Sequence, residues 1–224
     1  MRRLFIFDLH NTLVKDNDLT VTEAINSVLA ERKKNTRVDV EYVRNYQAML
    51  RPFSQYFRDI LPSATQQEVE EMTLATKEKC ERFLIRKYVK KMDHADKVLQ
   101  EIKSRGDEVL VLSFSTAASI DIYLRVAGLE GLIDRRLGIE TRQEVLSDED
   151  PGRVKAGLLE EQLGAEKSKY DSMFMIGDSA SDMKAGRAVG ATNIYFTKTK
   201  EILDIADHRI DDLRDVLRIA YGSM

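Results

Sequence analysis

The apolar positions change rhythm several times along the 224-residue chain, and each change predicts an element. Leu4-Phe5-Ile6-Phe7 is an unbroken apolar run without charge, the pattern of a strand buried on both faces, and it delivers the chain to Asp8. Asn11 and Thr12 then suit a tight turn, because Asn tolerates left-handed backbone and a Thr hydroxyl bonds nearby backbone groups. Thr20-Val21-Thr22-Glu23 has capping-box form, and Val21, Ala24, Ile25, Val28 and Leu29 repeat at helical spacing. A second helix is expected from Val40 to Leu50 and a short one between the Pro52 and Pro62 breaks. Ser63-Ala64-Thr65-Gln66 reads as another capping box, opening a long helix through Val69, Met72, Phe83 and Leu84.

From Ala95 the pattern alternates between helix and strand. A helix through Val98, Leu99 and Ile102 ends at Gly106, and Val109 to Leu112 is a buried strand followed at once by Ser113. A helix from Ala117 to Val126 ends near Gly128, and a weaker strand is expected from Leu137 to Glu140. Pro151 opens a helix that carries Lys155 and stops at Gly164. A strand from Met173 to Ile176, a helix ending at Gly190, a strand from Asn193 to Phe196 and a helix from Asp211 to Tyr221 complete the chain. Strands joined by helices imply a parallel sheet with right-handed crossovers.

Glycine separates the two regimes: all eleven lie from Gly106 onward. The glycine-free stretch 15–93 reads as a helical bundle inserted between the first two strands of a doubly wound, Rossmann-like α/β core formed by 1–14 and 94–224.

Composition narrows the picture. Charged residues make up 33%, yet the net charge is −3, which argues against nonspecific nucleic-acid binding. The basic run Arg86-Lys87 with Lys90-Lys91 reads as a solvated helix face. The one cysteine, Cys80, has no internal disulfide partner, and the cytosol is the expected compartment. No signal peptide and no run of membrane-spanning length is apparent.

The candidate chemistry lies at strand ends. Asp8 alone is a turn residue, but Met173-Phe174-Met175-Ile176-Gly177-Asp178 repeats the pattern of an apolar run ending in Asp. Ser179 and Asp182 follow about one helical turn apart. Three carboxylates facing one point suit a hard divalent cation such as Mg²⁺, whereas an ordinary strand with a capped helix would use the same residues for structure alone.

Asp8-Leu9-His10-Asn11-Thr12-Leu13 and Gly177-Asp178-Ser179-Ala180-Ser181-Asp182 resemble the first and fourth motifs of the haloacid dehalogenase superfamily, most of whose members are Mg²⁺-dependent phosphatases. The resemblance implies that Asp8 is the nucleophile and a metal ligand, that the main-chain carbonyl of His10 and the Asp178 carboxylate are further ligands, and that Asp182 acts behind them. Ser113 matches the second motif, whose hydroxyl binds phosphate, although a Ser there also serves as a helix cap; Phe114 departs from the usual Asn. Lys155 fits the third motif, with Arg153 the substitute.

One departure stands out. Phosphatases of this kind carry Asp two residues after the nucleophile, where it protonates the leaving oxygen and then deprotonates water; here His10 takes that place. A neutral imidazole is a fair base and a poor acid. The expected activity is hydrolysis of a small phosphorylated metabolite. The alternatives are a noncatalytic phosphate- or metal-binding protein on the same fold, or a phosphonate-cleaving relative. Tyr42, Arg44, Tyr46, Arg51, Tyr56 and Arg58 of the insertion are open to substrate contact or to helix packing.

Overall fold

The structure is a computed structural model that describes residues 1–48, 54–139, 150–200 and 202–222. Strand β1 (Arg3–Asp8) is central in a six-stranded parallel sheet, flanked on one side by β4 (Glu108–Thr116) and β5 (Arg135–Ile139). On its other side lie β6 (Ser172–Gly177), β7 (Thr192–Phe196) and β8 (His208–Ile210). The chain builds outward from β1 in one direction, returns, and builds outward in the other. The carboxyl end of β1 is therefore at the switch in strand order, where open α/β sheets form a crevice.

The uncharged apolar runs are explained by burial on both faces. Phe5, Phe7, Val109, Val111 and Ile176 pack on one side against α6 (Ala95–Ser104), α7 (Ala117–Ala127) and α10 (Asp215–Tyr221). Leu4, Ile6, Leu110, Leu112 and Met175 pack on the other against α8 (Pro151–Leu163) and α9 (Ala180–Val189).

Between β1 and β4 the chain leaves the sheet through β2 (Val14–Lys15) and returns through β3 (Lys90–Lys91), which pair antiparallel. The excursion comprises α1 (Asn17–Glu31), α2 (Val40–Ala48), α3 (Gln55–Ile60), α4 (Gln66–Lys79), a π-helical turn (Cys80–Leu84) and α5 (Ile85–Tyr88). These helices have a core of their own, with Ile25, Leu29, Val43, Phe57 and Met72 fully or almost fully buried. Among the described residues no helix is long and apolar enough to cross a membrane.

Several local expectations shift. α1 begins a turn earlier than its apparent capping box, because Asp16 takes a left-handed conformation and leads straight into the helix; Thr20 is left inside it. The box of α4 is Thr65 with Glu68, not Ser63 with Gln66. Phe83 is 69% exposed because it lies within the π-helical turn, which alters the helical register there. Strand β4 runs past Leu112 to Thr116 and gains β5 as a partner through an irregular register. The edge strand β8 is too short and polar to announce itself in sequence, and α10 starts only at Asp215. Leu50, Pro52 and Glu140, which expectations assigned to element ends, lie outside the described residues.

Helix α9 sits so close to the sheet that a Cβ on Gly186 would meet the Met175 side chain at 2.5 Å and press on Asn193 Oδ1. Gly186→Ala is expected to lower unfolding free energy by about 1–3 kcal/mol, the usual range for overpacking, as measured by urea denaturation.

Candidate active site

At the carboxyl end of β1 three acidic side chains and one lysine converge. Carboxylate oxygens of Asp8, Asp178 and Asp182 all lie within 4.8 Å of one another. Lys155 Nζ donates to Asp8 Oδ1 at 2.7 Å and to Asp182 Oδ1 at 2.6 Å. Asp8, Lys155 and Asp182 are buried, at 4%, 5% and 0% exposure, so these contacts are shielded from water.

Each side chain arrives there for a local reason. Asp8 is the last residue of β1 and Asp178 the first after β6, the adjacent parallel strand. Asn11 takes a left-handed conformation (φ 59°) in the turn after β1 and hydrogen-bonds Asp178. Asp182 occupies the first turn of α9, where its Oδ2 accepts from Ser179 N at 3.1 Å and from Ser179 Oγ at 2.6 Å. Gly177 makes room for it: a Cβ at that position would fall within 2.5 Å of Asp182 Oδ2. Lys155 reaches in from α8, whose amino end is capped by Asp150 accepting from Gly152 N at 3.1 Å. Arg153 is exposed on the same helix.

The electrostatics follow from three carboxylates sharing one ammonium in a dry site. Burial, reinforced by Asp182 and Asp178 against the pull of Lys155, holds the Asp8 carboxyl well above its usual pKa. Burial and the Asp182 charge raise Asp178 as well. Burial disfavours the Lys155 ammonium, but Asp182 and Asp8 more than offset this and keep it charged. The surplus negative charge and the oxygen-only donor set fit a hard divalent cation.

His10 follows Asp8 by two residues. Burial, then the ammonium groups of Lys155 and of Lys77 on α4, push its pKa down to about 3, so the ring is neutral. Among the described residues its buried Nε2 has no hydrogen-bond partner, and the ring stands edge-on to Tyr123 with centroids 4.7 Å apart at 86°. Ser113 is in β4, one residue past Leu112, the register partner of Asp8; among the described residues neither its buried Oγ nor Thr12 Oγ1, in the turn after β1, has a hydrogen-bond partner. The cap of α7 is Thr116, which accepts from Ser119 N at 3.2 Å, so Ser113 is not spent on capping.

The insertion's candidates separate. Tyr42, Tyr46 and Tyr56 form one aromatic cluster, with centroids 4.1–6.1 Å apart, inside or against the helical core. Arg44 pairs with Asp18, and Arg58 donates to Gln66 at 2.8 Å; Arg51 lies outside the described residues. Lys90 and Lys91 pair with Asp16 and Asp96, while Arg86 and Lys87 are exposed. Cys80 is buried, which pushes its thiol up to about 12. Sequence reasoning passed over Tyr123, Asn17 and Lys77, since nothing distinguishes them among the eight tyrosines and the many polar helix residues.

A family model described as haloacid dehalogenase-like hydrolase matches residues 2–190. The chain belongs to that family. A phosphoserine phosphatase of Methanocaldococcus jannaschii is 24% identical over 226 residues, covering 97% of both chains. Among solved structures, a haloacid dehalogenase-like hydrolase of Streptococcus pneumoniae superposes with a TM-score of 0.75 at 15% identity over 98% of both chains. CbbY of Rhodobacter sphaeroides, solved with phosphate, does so with a TM-score of 0.74 at 15% identity over 96% of both.

Two outcomes follow from the buried charges. Lys155→Met leaves Asp8 and Asp182 without their ammonium and is expected to destabilise the metal-free protein by about 3–5 kcal/mol at neutral pH in urea unfolding, with Mg²⁺ recovering part of the loss. Because His10 is neutral in the fold down to about pH 3 but titrates near 6.5 when unfolded, the unfolded chain binds the extra proton between these values. Its contribution is complete above about pH 6.5 and is lost as pH falls. Relative to His10→Asn, the wild type should lose about 2 kcal/mol between pH 7 and pH 5 in paired urea titrations.

Proposed function

We propose that the protein is a Mg²⁺-dependent phosphatase that hydrolyses a small phosphorylated metabolite through a phosphoaspartate on Asp8. The observation that carries this reading is the buried contact of Lys155 with Asp8 and Asp182 beside Asp178, at the switch point of the sheet. Membership of a hydrolase family and the similarity to a phosphoserine phosphatase support it.

Asp8, Asp178 and the His10 carbonyl would hold the cation. Both Asp182 oxygens are already engaged, one by Lys155 and one by Ser179, which suits a residue that fixes Lys155 rather than a ligand. When bound, Mg²⁺ neutralises charge between the carboxylates and the phosphoryl group. Asp8 attacks phosphorus and the alcohol leaves; water then attacks the phosphoaspartate, releasing phosphate and regenerating Asp8. Lys155 favours the ionised form of Asp8 against the effect of burial and faces the transferring oxygens together with Ser113 and Thr12, whose hydroxyls have no hydrogen-bond partner among the described residues. His10, held neutral, takes the proton from water in the second step and serves poorly as the acid in the first. The helices of 15–93 act as a cap that excludes water and lends side chains to the pocket.

Pre-steady-state release of alcohol from an aryl phosphate tests this, because such a leaving group scarcely needs an acid. A Mg²⁺-dependent burst followed by a slower phase is expected, abolished by chelator and by Asp8→Asn. Matched alkyl esters should react slower by about 10² or more, the scale of a missing general acid. Absence of release above the Asp8→Asn control would leave the protein a binder of phosphate or metal, and equal aryl and alkyl rates would remove the assigned role of His10.

A further inference from the structure

Helix α7 faces the helical insertion with two polar side chains one turn apart. Ser119 Oγ donates to Glu81 in the π-helical turn, and Tyr123 OH donates to Asn17 Oδ1 at 2.6 Å. Glu81 lies near the end of the insertion and Asn17 opens its first helix, so the core holds the insertion close to both of its chain crossings. Tyr123 and Asn17 are 5% and 7% exposed, so their hydrogen bond is internal.

The same Tyr123 ring meets His10 edge-on, at 4.7 Å and 86°. An edge-to-face contact sets the mutual orientation of two rings through their quadrupoles. Among the described residues the buried His10 Nε2 has no hydrogen-bond partner that would turn the ring, and packing against Tyr123 fixes its plane. Asn17 thus touches His10 through one intermediate, a phenol held at its oxygen by the insertion and at its ring by the histidine.

Taking His10 as the base of the phosphatase reading, we propose that Tyr123 is a positioning residue that makes the orientation of His10 depend on the docked insertion through the Asn17 hydrogen bond. The step affected is phosphoaspartate breakdown: water oxygen bonds to phosphorus, the bond from phosphorus to the Asp8 oxygen breaks with its electron pair returning to the carboxylate, and the water proton passes to the imidazole. Transfer from an aryl ester to Asp8 does not use His10. Misorienting the ring therefore slows the second step and spares the first.

The test uses the full chain with Mg²⁺ and an aryl phosphate, comparing wild type with Tyr123→Phe, Tyr123→Leu, Asn17→Ala and Asn17→Asp. The burst rate should stay within about twofold throughout, while steady-state turnover falls about tenfold in Tyr123→Leu and several-fold in Tyr123→Phe and Asn17→Ala. Asn17→Asp keeps an acceptor for the phenol and should restore turnover. The proton resonances of the His10 ring give a readout independent of activity: they should lose the Tyr123 ring-current shift in Tyr123→Leu and change line shape in Tyr123→Phe and Asn17→Ala. Unchanged ring signals and unchanged turnover in Tyr123→Phe and Asn17→Ala would overturn the proposal, as would equal losses in the burst and steady-state phases. Tyr123→Phe removes a single oxygen, so the test stands even if Tyr123→Leu fails to fold. A wild type that releases no alcohol above an Asp8→Asn control would overturn the phosphatase reading instead; unmoved ring signals would then still refute the positioning of His10, and altered ones would support it.

Discussion

A single ammonium group, Lys155 Nζ, is held between the carboxylates of Asp8 and Asp182 where water scarcely reaches, and Asp178 adds a third negative charge beside them. Buried charge on this scale persists only when paired and hydrogen-bonded. Three separate segments must meet to satisfy it: the end of β1, the first turn of α9 and the second turn of α8. The parallel sheet brings the strand ends together, Gly177 lets Asp182 fold back over β6, and Ser179 takes the oxygen that Lys155 leaves. The residual negative charge makes the arrangement incomplete by itself, which is the electrostatic condition for recruiting a cation and an anionic substrate.

The insertion is tied to this site from the opposite side. It leaves and rejoins the sheet through the short β2 and β3 pair, directly after the turn that carries His10 and Asn11. Its helices hold one another through a separate apolar core, while Ile85 of α5 joins the apolar core beside α7, and Ser119 and Tyr123 add hydrogen bonds. A unit with its own core is joined to its neighbour by a short strand pair, by apolar packing at Ile85 and Val89, and by hydrogen bonds. The turn that carries His10 and the first helix of the insertion are in this way joined through Tyr123 and Asn17.

Much of this was legible in the sequence where burial dictates composition. The runs ending at Asp8 and Asp178 are uncharged because helices cover both faces of the sheet, and Gly106, Gly128 and Gly190 stop helices at positive φ. The convergence of Asp8, Asp178 and Asp182 followed from strand ends and one helical turn. Lys155 was harder to single out, since a lysine on a charged helix is ordinarily exposed, and its 5% exposure comes from the packing of α8 beside α9. Helix starts were misplaced wherever backbone conformation overrode a motif, as at Asp16 before Thr20. The roles of Tyr123 and Asn17 left no trace in the sequence, because their meeting depends on tertiary docking across 106 residues.

The central claim is that Asp8 carries the phosphoryl group during turnover. Acid quenching of the Mg²⁺-loaded protein during turnover of an aryl phosphate, followed by borohydride reduction and peptide sequencing, reads this directly, because reduction converts an acyl phosphate on aspartate to homoserine. Homoserine at position 8, dependent on substrate and on Mg²⁺, is the predicted result. Turnover with unmodified aspartate at position 8, or with the phosphoryl group trapped on another side chain, would contradict the account.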